Sequence, residues 1–225
     1  MTKILSKKNL LLVELNEVNF DLVRSYVGKH HLPGFKKLFQ LNNFKTTSEE
    51  KYELLEPWIQ WPSIHTGKTA KEHGIFRLGD VVNSNLLSIF NLVESLGKRV
   101  GVVSAMNVNN NLEHPEYFIP DPWTSTSPGK SFWEKNITRF LRQAVNDNSA
   151  GKITFVSLFL IALTLIKFSR VRNYSTYLKL GLSSFNKPWR KALFLDLLIH
   201  DVHLNLFLQK KPNLSAVFFN AGAHI

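Results

Sequence analysis

Cysteine is absent from the 225 residues of this chain. Disulfide bonds and thiolate metal sites are therefore both excluded. The lack of cysteine is consistent with a reducing compartment. The apolar fraction of 44% is ordinary for a globular protein and excludes a disordered chain. At this length we expect one α/β domain, or a domain with a small insertion.

Long hydrophobic runs are scarce. The run after Lys7 and Lys8 contains Glu14 and is too short for a signal peptide, so we expect a first strand and a cytoplasmic protein. Ile153–Ile166 is uncharged but shorter than the ~20 residues that cross a bilayer. It predicts a buried helix, and the alternative is a peripheral membrane contact with a basic collar. The collar residues are Lys167, Arg170 and Arg172.

Positive charge outweighs negative charge, with 28 Lys and Arg residues against 17 Asp and Glu residues and a formal net charge of +11. Such a surface attracts nucleic acid, anionic lipid or phosphorylated substrates. The basic residues are scattered in pairs, and no recognised nucleic-acid motif accompanies them. We therefore do not expect sequence-specific nucleic-acid binding.

The order of patterns predicts an α/β fold with a mostly parallel sheet covered by helices on both faces. The predicted strands are Leu10–Leu15, Phe44–Ser48, Arg99–Ala105 and Ser215–Phe219. The predicted helices are Phe20–Val27, Phe35–Leu41, Pro62–Thr66, Asn85–Leu96, Phe132–Val145, Ile153–Phe168 and Trp189–Leu208. Asn19 is the expected N-cap of the first helix. Gly97 is expected to end the predicted helix Asn85–Leu96 as its C′ glycine.

Three regions follow from this order. Residues 1–120 are expected to form the N-terminal part of the α/β domain, residues 121–209 an inserted helical cap, and residues 210–225 a return strand. The Asn-, Pro- and Ser-rich stretch after Met106 predicts a long loop. Because a sheet of this kind normally continues after such a strand, we expect a C-terminal part to be missing from the chain.

The stretch Glu56–Asp80 collects the residue types that handle phosphate or metal, with hydroxyls, imidazoles and a guanidinium among three glycines. It lacks the regular period of a core helix or strand. The alternative interpretation is an aromatic-rich loop that fills the core.

Three stretches together resemble the alkaline phosphatase superfamily, nearest its type I phosphodiesterase and nucleotide pyrophosphatase branch. They are LLLVELNE, WPSIHTGKTAKEHGIFRLGD and FFNAGAHI. The most specific piece is the spacing of Thr66-Gly67 to His73-Gly74-Ile75. The resemblance covers about residues 10–105 and 215–225, and the middle matches only as a cap insertion.

The resemblance implies a phosphoryl or sulfuryl hydrolase with two divalent metals, usually zinc, that clamp an in-line displacement. It places metal ligands at Asn16, Asn220 and His224. The first two positions carry an aspartate in the family, and a neutral amide is a weaker ligand for a divalent ion. The family's nucleophile position falls at Pro57, which cannot attack, so this site is incomplete.

Two hydroxyls are the alternative nucleophiles, Ser63 and Thr66. Ser63 is also a candidate helix cap, because we expect a helix to begin at Pro62. Trp58, Trp61 and Arg77 are the candidate substrate-binding residues, and core packing is the alternative for the two tryptophans. Carboxylates that would replace the lost metal ligands are Glu14, Glu17 and Glu56.

The remaining histidines carry weaker expectations. His73 is expected to be structural and to hydrogen bond within its loop. His65 either faces the pocket or packs beneath it. His200 and His203 lie three residues apart on one helix and, without a third ligand, are expected at the surface.

Three functions fit these patterns. The first is a metal-dependent phosphodiesterase or nucleotide pyrophosphatase, or a fragment of one that is inactive alone. The second is a pseudoenzyme that binds an anionic sugar, nucleotide or lipid head group without hydrolysing it. The third is a membrane-surface protein that acts on cell-envelope polymers rather than on a phosphorylated small molecule.

Overall fold

The computed structural model describes residues 9–29, 32–146 and 153–224. Its centre is a sheet of four parallel strands in the order β1-β4-β2-β3. The strands are β1 (Leu10–Leu15), β2 (Val100–Val103), β3 (Tyr117–Ile119) and β4 (Leu214–Phe219). The predicted parallel α/β sheet is confirmed.

Helices lie on both faces of this sheet, as predicted. The helices of the described residues are α1 (Phe20–Val27), α2 (Pro33–Leu38), α3 (Pro57–Thr66), α4 (Ala70–His73), α5 (Ile89–Ser95), α6 (Phe132–Asn146), α7 (Phe155–Phe168), α8 (Tyr174–Ser183) and α9 (Arg190–Lys210). Because side chains alternate along a strand, neighbouring residues of β2 enter different cores. Val102 packs with Phe90 of α5, and Val103 packs with Phe140 of α6 and Leu198 of α9. The four helices between β3 and β4 therefore share a core with the sheet.

One side chain links three strands. Tyr117 of β3 crosses β2 at Gly101, where an added Cβ would lie 2.2 Å from the tyrosine ring. Its hydroxyl is 2.7 Å from Ser215 Oγ on β4, and Ser215 Oγ is 2.8 Å from His203 Nε2 on α9. Burial raises the pKa of Tyr117 to about 12 and lowers the pKa of His203 to about 4, so both groups are neutral at pH 7.

The outer edge of β3 is closed by two hydrogen bonds. Phe118 N–H donates to Glu134 Oε1 at 2.6 Å, and Gly129 N–H donates to the Phe118 carbonyl at 2.8 Å. A Cβ at position 129 would lie 1.8 Å from Glu134 Oε1 and would displace this carboxylate from the Phe118 N–H. These bonds satisfy backbone groups that an edge strand otherwise leaves open.

Local signals for helix ends were predicted well. Asn19 Oδ1 accepts from the N–H groups of Asp21 and Leu22, both at 3.0 Å. After α5, Gly97 takes φ 69° and the chain closes a Schellman turn, with Lys98 N–H donating to the Val93 carbonyl at 3.2 Å. Both predictions are confirmed.

Other element predictions were wrong. No strand forms at Phe44–Ser48, and α3 begins at Pro57 instead of Pro62. The sequence analysis missed β3 and α8. The short strand β3 lies inside the stretch predicted as loop, and it forms because its backbone pairs with β2 over three residues.

Helices α7 and α9 bear on the membrane question. Among the described residues, α9 is long and apolar enough by composition to span a membrane. Its Asp201 and His203 are buried and bond to the rest of the fold, Asp201 to Arg170 N–H and His203 to Ser215. The predicted buried helix α7 is buried on one face only.

Candidate functional site

Three of the predicted ligands lie together where β1 and β4 end. Asn16 Nδ2 donates to Asn220 Oδ1 at 2.9 Å, and Asn220 Nδ2 is 3.3 Å from His224 Nε2. Trp61 Nε1–H donates to Asn16 Oδ1 at 3.0 Å. We call Asn16, Trp61, Asn220 and His224 the amide network. Their roles in metal binding stay a prediction.

The parallel pairing of β1 with β4 produces this meeting. Leu15 pairs with Phe219, so the next residues of both strands emerge at the same edge, and Asn16 N–H donates to the Phe219 carbonyl at 3.0 Å. Gly222 lets the loop after β4 approach, because a Cβ there would lie 2.5 Å from the Asn16 carbonyl oxygen. A larger residue at position 222 would push the loop away.

A carboxylate that the sequence analysis missed lies beneath the same loop. Asp196 of α9 accepts from Asn220 N–H at 3.2 Å and from Ala221 N–H at 2.7 Å. Burial raises the pKa of Asp196, and its two backbone hydrogen bonds and the nearby His224 act in the opposite direction. Asp196 therefore fixes the loop that carries Asn220. Nothing local in the sequence of α9 indicates this contact.

Helix α3 carries Trp61 of the amide network one turn after its start. Pro57 occupies its first turn and Glu56 makes no side-chain capping bond, so the helix start is uncapped by side chains. Pro62 inside the helix has no N–H and cannot bond the Trp58 carbonyl. Asn107 Nδ2 donates to that carbonyl instead, at 2.8 Å.

Ser63 lies in the middle of α3 and not at a helix start, so its predicted role as a cap is wrong. His73 Nδ1 accepts from Ile75 N–H at 3.0 Å, which places the ring proton on Nε2. His73 Nε2–H then donates to Ser63 Oγ at 3.0 Å. Burial lowers the pKa of His73, so the ring is neutral. A histidine that donates to a serine hydroxyl does not take its proton, and Ser63 is not activated in this geometry.

Thr66 is the last residue of α3. Its hydroxyl donates to the Pro62 carbonyl at 2.7 Å and accepts from Lys68 N–H at 3.3 Å. Gly67 follows in the left-handed region at φ 68° and ends the helix. The negative end of the helix dipole lies here, which disfavours an approaching anion.

The predicted substrate-binding residues differ in how far their side chains are exposed. The Trp61 ring packs edge-on against Phe218 at 5.2 Å and makes a tilted contact with His65 at 5.9 Å, so its ring contacts the core. Trp58 is half-buried one turn earlier. Arg77 is exposed, and its guanidinium makes no hydrogen bond or ion pair within the ranges the structure describes. Asn107 Nδ2 lies 3.4 Å from the Arg77 carbonyl and thus joins the Arg77 backbone to the first turn of α3.

Of the carboxylates expected to replace lost ligands, Glu14 is committed elsewhere. It is buried and its Oε1 lies 2.9 Å from His65 Nε2, which is also buried. Glu14 Oε2 and His65 Nδ1 have no hydrogen bond partner among the described residues. His65 also packs against Phe90 at 5.4 Å, so it lies under the site and not in it.

The other two carboxylates are exposed. Glu17 follows the end of β1 in the left-handed region at φ 53°, and its Oε1 is 3.5 Å from Asn16 Nδ2. Glu17 therefore reaches the amide network because the strand has already ended. Glu56 precedes α3 and faces solvent.

The prediction for the histidines of α9 was wrong in part. His203 is buried and bonded to Ser215, whereas His200 is half-buried with Nδ1 3.1 Å from Asp201 Oδ1. His203 turns inward because it lies on the face of α9 that packs on β4. The expectation that His73 is structural agrees with its bond to Ile75.

The buried residue Asn107, which bonds several segments behind the site, was also not predicted from the sequence. Asn107 takes φ 52°, accepts from Gly79 N–H at 3.1 Å, and donates its own N–H to Asp121 Oδ2 at 3.0 Å. Asp121 also accepts from residues 123 and 124. Burial raises the pKa of Asp121 to about 6. The only sequence signal was the dense run of asparagines that begins at Asn107.

Comparison with protein-family models, with curated proteins and with solved structures found no match to this chain.

Proposed function

We propose that this chain binds a phosphate or phosphoester group at the edge of the sheet and does not hydrolyse it. The binding place comprises the start of α3, Arg77 and the amide network. This is the pseudoenzyme alternative of the sequence analysis, with the ligand restricted to anions that carry a phosphoryl group.

The observation that carries the proposal is the 2.9 Å hydrogen bond between Asn16 and Asn220. Two carboxylates at these positions would repel each other and would require a cation between them. Two amides satisfy each other and need no cation between them. Carboxylates remain nearby at Glu17, 3.5 Å from Asn16 Nδ2, and at Asp196, which accepts from two backbone N–H groups, so the positive charge for an anion comes from the start of α3 and from Arg77.

Arg77 supplies the positive charge for this ligand. Its backbone is joined through Asn107 to the first turn of α3, and its guanidinium is exposed. A guanidinium binds two phosphate oxygens in a planar, bidentate manner. At the start of α3, Pro57 has no N–H, and the N–H groups of Ile59 and Gln60 both donate to the Glu56 carbonyl. The Trp58 N–H is therefore the backbone donor that we propose for the same ligand.

The candidate nucleophiles support binding over turnover. Pro57 stands where the resemblance places the nucleophile, and Ser63 accepts a hydrogen bond from neutral His73. Thr66 lies at the wrong end of the helix. None of these three groups has a base placed to remove a proton.

The metal implied by the resemblance fits these residues poorly. Asn16, Asn220 and His224 offer two amides and one imidazole, and both oxygens of nearby Asp196 are engaged by backbone N–H groups. Divalent zinc prefers charged or imidazole ligands over amides. No step of the proposed function uses a metal, and zinc binding stays a prediction.

The test measures binding and turnover on the same protein. Calorimetric titration with inorganic phosphate and with a phosphodiester should give binding that is unaffected by chelator. Arg77→Ala should weaken it at least about tenfold through loss of a bidentate charge-assisted contact. Arg139→Ala removes another exposed arginine and is the matched control.

Turnover is measured with bis-p-nitrophenyl phosphate in the presence of zinc or manganese. We expect none. Metal-dependent turnover that is lost in Ser63→Ala would overturn the proposal in favour of the hydrolase. Absence of phosphate binding, or equal weakening by both arginine variants, would also overturn it.

A further inference from the structure

Helix α7 is apolar on both of its faces although only one of them is buried. Its inward residues include Leu160, Ile161 and Phe168. Its outward residues Phe155 and Ile166 are 91% and 76% exposed. A surface helix of a soluble protein normally carries polar residues on its outward face. Within residues 9–29, 32–146 and 153–224, no element therefore covers the outward face of α7.

The outward residues of α7 form a continuous stripe. Phe155, Phe159, Ala162 and Ile166 follow the spacing of three and four residues that places side chains on one side of a helix. Lys167 borders this stripe at its C-terminal end.

A second apolar stripe follows on α8. Tyr174, Leu178 and Leu182 are exposed at intervals of four residues, and Phe185 just beyond the helix is 85% exposed. The two helices are consecutive in the chain, and both pack on α9 through their other faces. Exposed apolar groups of this extent mark an interaction surface.

The segment of sequence that carries the two stripes has charge of one sign. Residues 153–195 contain no Asp or Glu but seven Lys or Arg residues. The seven are Lys167, Arg170, Arg172, Lys179, Lys187, Arg190 and Lys191. An acceptor for this surface must therefore be apolar and negatively charged together.

An anionic lipid bilayer meets both requirements. Its head groups attract Lys and Arg, and its acyl chains accept exposed aromatic and aliphatic side chains. A second copy of the chain would oppose one basic surface to another. A nucleic acid would match the charge but would leave the phenylalanine stripe in water.

We propose that the outward faces of α7 and α8 bind the chain peripherally to anionic membranes. The contact uses the apolar stripes for insertion and the surrounding Lys and Arg residues for attraction. It does not depend on the phosphate site, because no residue of that site lies on these faces.

Flotation of the whole chain with lipid vesicles tests the proposal. We expect binding to vesicles of phosphatidylcholine and phosphatidylglycerol, little binding to phosphatidylcholine alone, and weaker binding at high salt, since salt screens the charge contribution. Failure to float with the anionic vesicles at low salt would overturn the proposal.

Paired variants identify the contact. Phe155→Ser with Phe159→Ser should reduce vesicle partitioning at least about tenfold. Both side chains point outward, so the fold is retained, and circular dichroism verifies this. Phe44→Ser with Tyr52→Ser is the matched control, because these aromatics are 89% and 85% exposed outside the cap. Equal loss in both pairs would overturn the proposal.

A second pair of double variants tests the contribution of charge to vesicle binding. Arg170→Glu with Arg172→Glu should abolish the preference for anionic vesicles, whereas Lys36→Glu with Lys37→Glu makes the same charge change at exposed positions elsewhere and should retain it. Sedimentation equilibrium addresses self-association. A dimer that dissociates in the Phe155 and Phe159 variant would assign the surface to a second copy and overturn the membrane proposal.

Discussion

The two flanks of the sheet differ in what holds them. On the β2 and β3 flank every strand residue is buried, and the outer edge is closed by Glu134 and Gly129. On the β1 flank Leu10, Leu11 and Val13 are exposed, and α1 and α2 bury no residue. Apolar burial is thus concentrated on one side.

On the β1 flank, hydrogen bonds between buried polar side chains hold the strand in place. Glu14 and Asn16 are its two buried strand-end residues, and they bond to His65, Trp61 and Asn220. A polar contact has directional geometry and therefore fixes position where apolar packing is thin. The candidate site lies on this flank and inherits that order.

The largest expected difference between the flanks is in core substitutions. Phe118→Ala on β3 should lower the free energy of unfolding by about 3–5 kcal/mol, because a fully buried ring is removed. Leu11→Ala on β1 should cost less than about 1 kcal/mol, because that side chain is already about half exposed. Urea unfolding measures both, and equal losses would contradict the comparison.

The closed flank also carries two titratable groups with opposite effects on stability. Burial raises the pKa of Asp121 to about 6, above its ordinary value of 3.8. The contribution of Asp121 to the free energy of unfolding is fully present below pH 4, and it is lost as pH rises through 6. Burial lowers the pKa of His203 to about 4, below its ordinary value of 6.5. The contribution of His203 to the free energy of unfolding is fully present above pH 6.5, and it is lost as pH falls through 4.

Each effect amounts to about 3 kcal/mol across this window, so the two largely cancel in the native chain. Asp121→Asn should leave a stability that rises from pH 4 to 6.5. His203→Gln should leave one that falls over the same range. Thermal unfolding at several pH values gives the slopes, and the same sign of slope in both variants would contradict the prediction.

The Glu14 and His65 pair measures the polar contribution on the β1 flank. Glu14→Gln or His65→Leu alone should cost about 1–3 kcal/mol, because each leaves a buried polar group with a poorer partner. Glu14→Leu with His65→Leu should recover much of this loss. A double-mutant cycle by urea unfolding gives the coupling, and additive losses would show that the pair contributes little.

The smallest expected effect concerns the amide network. Asn16→Asp with Asn220→Asp should lower stability by about 1 kcal/mol without metal, because two like charges then meet. Zinc or manganese should restore it and raise Tm, whereas the native chain should show no such shift. Asn83→Asp with Asn85→Asp, at exposed positions, is the control. A metal response in the native chain would instead support the zinc prediction.

Sequence reasoning succeeded where the signal is local or follows from the geometry of a parallel sheet. Asn19 and Gly97 were found from helix-end rules, and Asn16 and Asn220 were placed in one site by the resemblance stated above. It failed where a distant partner decides. Three residues of β3 become a strand only beside β2, and Phe44–Ser48 has no strand to join. Glu14 meets His65 across 51 positions of sequence, which no local pattern encodes.

The crossing of Tyr117 over Gly101 has a consequence for how the strands find their places. The tyrosine reaches Ser215 only if the intervening strand lacks a side chain at that point, so a permuted strand order would put a Cβ in its path. Gly101, Tyr117 and Ser215 are thus complementary only in the observed order of their strands. The strand order β4-β2-β3 is therefore favoured by side-chain fit as well as by backbone pairing.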